Sequence, residues 1–314
     1  MALAVRKSNP NKPVRIMAYG VEGVGKSTLG AKSDKPIFLS PEGGSDQLTD
    51  ANGNPVEELT GVSTWDGARK AVKDLINEKH DYKTLVVDSA DWIEKLCHAH
   101  IVGNSGKSIT TCNGGYGAGY RQSELLHKEF IEDISQLREK RGMNIIILAH
   151  AHVKAVKDPS MNEDYDSFEI KCHDMVSSLY REWVDGLFFV RFRTFIKSSD
   201  DTVRARALSD GTRVLFTVKQ PSFQAKNRFG MLPEYTFTEN FWNEFVAHIK
   251  KTPVAVVDAS NLDAIRIELN SRWEKLTDAN IKSKVQESVL ASKDDVTALT
   301  KILEKLRGFQ GEAA

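Results

Sequence analysis

Gly20-Val-Glu-Gly-Val-Gly25-Lys26-Ser27-Thr28 fits the pattern G-x₄-G-K-[ST] at every position. Its glycines let successive backbone N–H groups turn inward toward an anion. The apolar run Val14–Tyr19 ahead of it reads as a short buried strand, and Lys26–Ala31 behind it reads as the start of a helix. Strand, glycine turn and helix N-terminus in that order make a phosphate cradle. The pattern assigns Gly20, Val21, Glu22, Gly23, Val24, Gly25, Lys26, Ser27 and Thr28 to that cradle. Lys26 would reach the β- and γ-phosphates and Ser27 would place its hydroxyl on Mg²⁺, so the expected ligand is ATP with Mg²⁺.

Outward from the cradle, Lys83-Thr-Leu-Val-Val-Asp88 is an apolar strand ending in an acid, the Walker B pattern. Asp88 is expected to share the metal with Ser27. A glutamate directly after that acid would be a candidate base, but Ser89 stands there. The other arrangement puts the base at the end of the intervening strand, where Pro36–Leu39 leads to Pro41-Glu42-Gly43. Glu42 is therefore the expected base for water, with Asp91 as a second candidate. Asn144-Ile-Ile-Ile-Leu-Ala-His150 is a further buried strand ending in a polar residue. His150 is expected to sense the γ-phosphate, with His152 competing for the role.

Helical periodicity appears near Asp66–Glu78, over Trp92–His100, and over Ser123–Arg141, where Leu126, Phe130, Ile134 and Leu137 share a face. Leu187–Phe192 and Val214–Val218 read as later strands. Strands alternating with helices imply an α/β domain with a mostly parallel sheet. Gly103–Gly119 and His150–His173 read as long polar loops, which in a domain of this kind are functional or mobile. After Thr252-Pro253 come three helical patterns, centred on Leu269, Val285 and Leu299. The expected organisation is a basic arm at 1–12, an ATPase core at 13–252 and a small helical region at 253–314.

The chain has 314 residues, with 43 basic and 43 acidic side chains that cancel. Global charge therefore selects no partner, but its distribution is uneven. Residues 171–230 carry eleven basic and six acidic side chains, and residues 1–19 carry four basic and no acidic ones. No apolar run approaches the ~20 residues of a spanning helix, and the N-terminus has no apolar signal segment. Three cysteines make no disulfide framework. Cys97, His98, His100, Cys112, Cys172 and His173 match no zinc-finger spacing. A soluble protein of a reducing cytoplasm is expected.

These motifs together resemble the RecA-type ATPases. Asp88-Ser89 resembles their Walker B end, and Pro41-Glu42-Gly43 their catalytic glutamate segment. Ala225-Lys226-Asn227-Arg228-Phe229-Gly230 is similar to the Lys-Asn-Arg-Phe-Gly motif of bacterial RadA and to the lysine segment of RecA that reaches ATP on the neighbouring subunit. With Gly115–Tyr120, Ala149-His150 and Arg181–Asp185, the resemblance extends to phage-encoded, core-only members, including the single-strand annealing group, over roughly residues 13–250. No zinc finger or Lon-like domain accompanies the core, and the tail has no counterpart. The resemblance implies a RecA-like P-loop NTPase fold, self-association into a ring or filament, and ATP hydrolysis at subunit interfaces with Lys226 and Arg228 acting in trans. It implies single-stranded DNA bound by two loops, here Gly103–Gly119 and Val153–His173. Lys107, Arg121, Lys154, Lys157 and Lys171 are their cations, and Tyr116, Tyr120, Tyr165 and Phe168 their stacking rings. A single-strand-binding protein is a further implied partner, and the host cytoplasm the implied location. The expected function is recombination by annealing or strand pairing. A ring translocase or helicase-like motor, and a nucleotide-switched scaffold without DNA, are the alternatives.

Overall fold

The strand ahead of the cradle, β1 (Arg15–Gly20), is buried from its second residue to its last. A run of apolar residues with no polar alternation is stable only where both faces are covered. A computed structural model of the chain describes residues 9, 12–159, 163–197, 206–250, 269, 279–292, 299 and 302. In it β1 lies inside the main sheet, between β5 (Asn144–Val156) and β7 (Gly186–Phe192), parallel to both. Beyond β5 come β4 (Thr84–Asp88), β2 (Pro36–Leu39) and the two-residue β3 (Glu57–Glu58), all parallel. Beyond β7 the sheet turns antiparallel through β10 (Arg213–Phe216) and β12 (Glu234–Thr236). The strand bearing Asp88 is thus separated from the cradle strand by β5.

Alternate residues of β1 serve two cores. Met17 and Tyr19 belong to one, with α2 (Trp65–Asn77), α3 (Ala90–Val102), α4 (Ala118–Gln136) and α5 (Asp174–Trp183). Ile16 and Ala18 belong to the other, with Leu29 of α1 (Lys26–Ala31) and Phe241, Trp242 and Phe245 of α6 (Phe241–Lys250). Helices on both faces of a mostly parallel sheet give the α/β, RecA-like P-loop NTPase core that the motifs imply.

Local sequence explains most of these elements. Thr64 caps α2, its side chain accepting from the Gly67 N–H at 3.1 Å. The predicted face of α4 is seen, with Phe130 and Ile134 fully buried. Its last turn widens into a π-helical turn at Leu137–Arg141, which ends at Gly142. Arg69 of α2 ties the two helices together through Glu129 and Asp133 of α4.

One expectation is corrected, and three elements carried none. The polar stretch His150–His173 is not a loop through most of its length. β5 runs on to Val156 and returns as β6 (Tyr165–Ile170), an antiparallel hairpin pairing Ala151 with Ile170 and Val156 with Tyr165. Backbone ladder bonds hold such a ribbon whatever its side chains, and among its described residues beyond His150 only Ser167 and Ile170 are buried, so its composition stays polar. Helix α5 was not foreseen, because only Val176, Ser177 and Tyr180 of its ten residues are buried. Helix α6 and strand β12 complete the second core and also carried no expectation.

Two further short strands, β8 (Phe195–Lys197) and β9 (Arg206–Leu208), pair antiparallel, and β11 (Lys226–Asn227) adds to β7. The chain divides into two compact units, residues 1–250 and 251–314. In the second, the middle expected pattern forms α7 (Ala279–Ser292), and Leu269, Leu299 and Ile302 are helical. The remainder of the two flanking patterns, and the arm apart from Asn9 and Lys12, lie outside the described residues.

Candidate functional site

The cradle follows β1 and ends in α1, as its sequence requires. Gly23 and Gly25 take φ of 70° and 92°, backbone that glycine adopts without a Cβ penalty. A second constraint acts at Gly25, where an added Cβ would stand 2.6 Å from Nη1 of Arg213. Lys26 is 7 % exposed, and its ammonium donates to the carbonyls of Gly20 (3.1 Å) and Val21 (2.8 Å). Burial holds its pKa below the usual lysine value, against the pull of Asp88, Asp91, Glu22 and Glu42. The Ser27 hydroxyl donates to Oδ2 of Asp88 at 2.6 Å. Burial raises the Asp88 pKa, opposed by the Ser27 hydroxyl and the Lys26 charge.

A hydroxyl and a carboxylate that already meet across two elements are hard oxygen donors. They fit Mg²⁺, which takes few protein ligands and completes its shell with phosphate and water.

Above the cradle lies an open cleft of about 620 Å³. Strand ends bring its walls together: Glu42 after β2, Asp88 on β4 and His150 on β5 all line it. His150 stands level with Gly20 in the β1–β5 register. Asp91, in the first turn of α3, receives the His150 backbone N–H at 3.1 Å and contacts its Nδ1 at 3.0 Å. This bond raises the His150 pKa, against burial. Burial pushes Asp91 upward, but its bonds to His150 prevail and leave it below the ordinary carboxylate value. Asp91 is therefore engaged with His150, whereas Glu42 is exposed and faces the cleft. His152 does not line the cleft.

Lys226 and Arg228 are brought together at the other end of the sheet. Lys226 pairs with Leu187, which is level with Met17. Gly20 is three residues further along β1, roughly 10 Å. The Lys226 ammonium donates to the carbonyls of Arg181, Glu182 and Val184, at 3.0, 3.0 and 2.7 Å, and so closes the end of α5. Arg228 reaches Asp185 at 3.5 Å, a carboxylate that also holds Arg15 (2.7 Å) and Arg138 (3.3 Å). Neither cation faces the cradle of its own chain.

The expected DNA residues divide into several groups. Gly103–Gly117 is a run of turns in which Lys107 is exposed and Tyr116 is 97 % exposed. Arg121 is exposed at the start of α4. Lys154 is closed on Asp174 at 2.6 Å, while Lys157 is exposed. Lys171 lines the nucleotide cleft. Tyr120 stacks on His173 with ring centres 4.0 Å apart, and Phe168 packs on Phe189 at 5.1 Å. Cys97, Cys112 and Cys172 are buried free thiols.

Sequence reasoning missed Lys95, which also lines the cleft. Its spacing of one helical turn beyond Asp91 was a usable clue. It also missed Glu94, whose carboxylate accepts the His173 N–H at 2.9 Å and is pushed by burial to about 7. Arg213 arrives beside Gly25 from a distant strand, and nothing local marks it.

The sequence family described as AAA domain matches residues 12–229. No curated protein sequence matches the chain. Among solved structures, one titled "Crystal structure of the RadB recombinase" is similar over 72% of this chain and 88% of that one, at 14% identity and a TM-score of 0.39.

Proposed function

This chain belongs to the AAA domain family, and from that premise we propose that it is an ATP-hydrolysing recombination protein that binds single-stranded DNA and self-associates. The observation that carries the catalytic half is one convergence. Lys26, the Ser27–Asp88 pair, Glu42 and the Asp91–His150 pair come from five separate segments and face one cleft.

The roles follow from chemistry. The cradle N–H groups and Lys26 hold the β- and γ-phosphates. Ser27 and Asp88 would hold Mg²⁺, which would supply charge to offset the phosphates. Glu42 accepts a proton from water as the water oxygen bonds to the γ-phosphorus. The bond to the bridging oxygen breaks, and ADP leaves with that oxygen. His150, whose pKa the contact with Asp91 raises, lines the cleft at a strand end where it can respond to a terminal phosphate that is present in one nucleotide state and absent in the other.

Exposed Lys107, Arg121 and Lys157 and the Tyr116 ring supply charge and a stacking face for a single strand. Arg228, 57 % exposed at the far end of the sheet, is the cation this reading offers to a second copy, with Lys226 beside it. The reading is of annealing or strand pairing, with ATP as the switch between DNA-bound and released forms. Its test is filter binding of a labelled oligonucleotide with the full chain, with and without a non-hydrolysable ATP analogue, beside sedimentation of the same samples. ATP-dependent retention with oligomers supports it. Hydrolysis with neither retention nor oligomers would refute the DNA half, and processive unwinding would favour a motor.

A further inference from the structure

The cleft carries positive charge beyond its phosphate-binding motif. Lys171 sits immediately after β6, where the hairpin rejoins the body of the sheet. Its backbone N–H donates to the His150 carbonyl at 2.9 Å, which fixes it beside the strand end that bears His150. The residue lines the cleft with Lys26, Glu42 and Asp91. Among the described residues no carboxylate lies within ion-pair distance of its ammonium. Lys154, in the same hairpin, is by contrast closed on Asp174.

An anion bound there needs cations to offset both its own charge and that of the acidic lining. Four carboxylates line the cleft, from Glu22, Glu42, Asp88 and Asp91. Asp91 is satisfied by His150, and Asp88 by Ser27. Lys26 is buried and bound to backbone carbonyls. A triphosphate brings further negative charge, and Lys171, exposed and with no ion-pair partner among the described residues, can meet it without first breaking an ion pair.

We propose that Lys171 binds the terminal phosphate of the nucleoside triphosphate from within the same chain. The root of the hairpin is then part of the nucleotide site, and Lys171 is not a DNA contact. This rests on the nucleotide reading above and deepens it, because it assigns a cation that discriminates triphosphate from diphosphate. The residue acts in cis, so its effect does not depend on assembly.

The test uses the full chain with Lys171→Ala and Lys171→Arg, each first shown to melt with the wild type. Titration with ADP, with a non-hydrolysable ATP analogue and with oligo-dT in the absence of nucleotide separates the possibilities. Lys171→Ala should weaken analogue binding about tenfold or more and leave ADP within about twofold, the size of effect expected for one charge-assisted bond. Lys171→Arg should restore most of the analogue affinity. Oligo-dT binding should not change, and the loss should persist at dilutions where the chain is monomeric. Equal losses for ADP and analogue, or a loss confined to oligo-dT, would overturn the assignment. Wild-type chain that binds neither nucleotide, and matches Lys26→Ala in doing so, would instead remove the nucleotide reading itself.

Discussion

Replacing Gly20 by alanine separates two reasons for a glycine at the head of the cradle. The motif asks for glycine so that backbone can wrap a phosphate. The structure adds a packing reason, since a Cβ on Gly20 would stand 2.0 Å from the Val190 carbonyl oxygen and 2.9 Å from its carbon. A carbon–oxygen contact needs about 3.3 Å, so β1 and β7 would have to part by roughly 1.3 Å at this level. Both contacts are to backbone, and no side chain can rotate away to relieve them. The ladder bonds at Gly20–Val190 would then be stretched or lost, with overpacking of about 1–3 kcal/mol and a similar cost for a buried carbonyl left without its partner. A total of about 2–6 kcal/mol corresponds to roughly 4–24 °C in melting temperature for a unit of this size. ATP affinity should fall at least about tenfold, because the cradle begins at the displaced residue. Gly23→Ala is the control. Nothing lies within 4 Å of its added Cβ, and its φ of 70° carries strain alone, about 1–2 kcal/mol. Thermal melts by circular dichroism and ATP titration of both variants decide it. A Gly20→Ala protein that melts within about 2 °C of wild type would refute the packing argument. So would a Gly23→Ala protein that is the less stable of the two.

Lys26→Ala should reduce ATP hydrolysis at least about a hundredfold, because it removes the buried charge that faces the phosphates; near-wild-type turnover would end the assignment of the cradle. Glu42→Gln should keep ATP binding and slow hydrolysis by about a hundredfold, the scale for a lost general base. If Asp91→Asn does this instead, the base is Asp91. The Asp91–His150 contact also sets a pH window. Since the His150 pKa is raised, its share of stability is full below its unfolded value of about 6.5 and is lost as pH rises through the folded value. Since the Asp91 pKa is lowered, its share is present above about 3.9 and is lost as pH falls through its folded value. The melting difference between wild type and Asp91→Asn should therefore be largest at mildly acidic pH and shrink toward pH 9; a difference that grows with pH would contradict the pairing. Neutralising Lys107, Arg121 and Lys157 together should lower the salt slope of single-strand binding by up to ~3 counterions and leave ATP affinity unchanged. An unaltered slope would place the DNA surface elsewhere.

The cradle, the Asp88 strand and the strands at Pro36, Asn144 and Leu187 were all legible from short-range pattern. Each rests on neighbours within a few residues. An apolar run before a glycine turn must be buried, and a turn with Gly23 and Gly25 can take the backbone an anion needs. Even Glu42 and His150 could be chosen, because a polar residue that ends a buried strand emerges at the edge where the cradle opens. The hairpin was missed for the opposite reason. Residues 151–170 alternate weakly, and their pairing depends on which backbone lies opposite.

The sequence by itself determined the α/β class, the phosphate cradle and the identity of the hydroxyl and carboxylate that meet at 2.6 Å. Those depend on residue type and local spacing, which a linear chain displays. Only the tertiary structure decided which cations share the cleft. It put Lys171 next to His150, at the cleft, because β6 returns antiparallel to β5 and ends beside it. It set Lys226 at the far end of the sheet against the end of α5, because β11 pairs with the first residues of β7. Strand order and pairing direction fix such positions, and they are settled by contacts between residues more than a hundred positions apart, such as Gly20 with His150 and Val190.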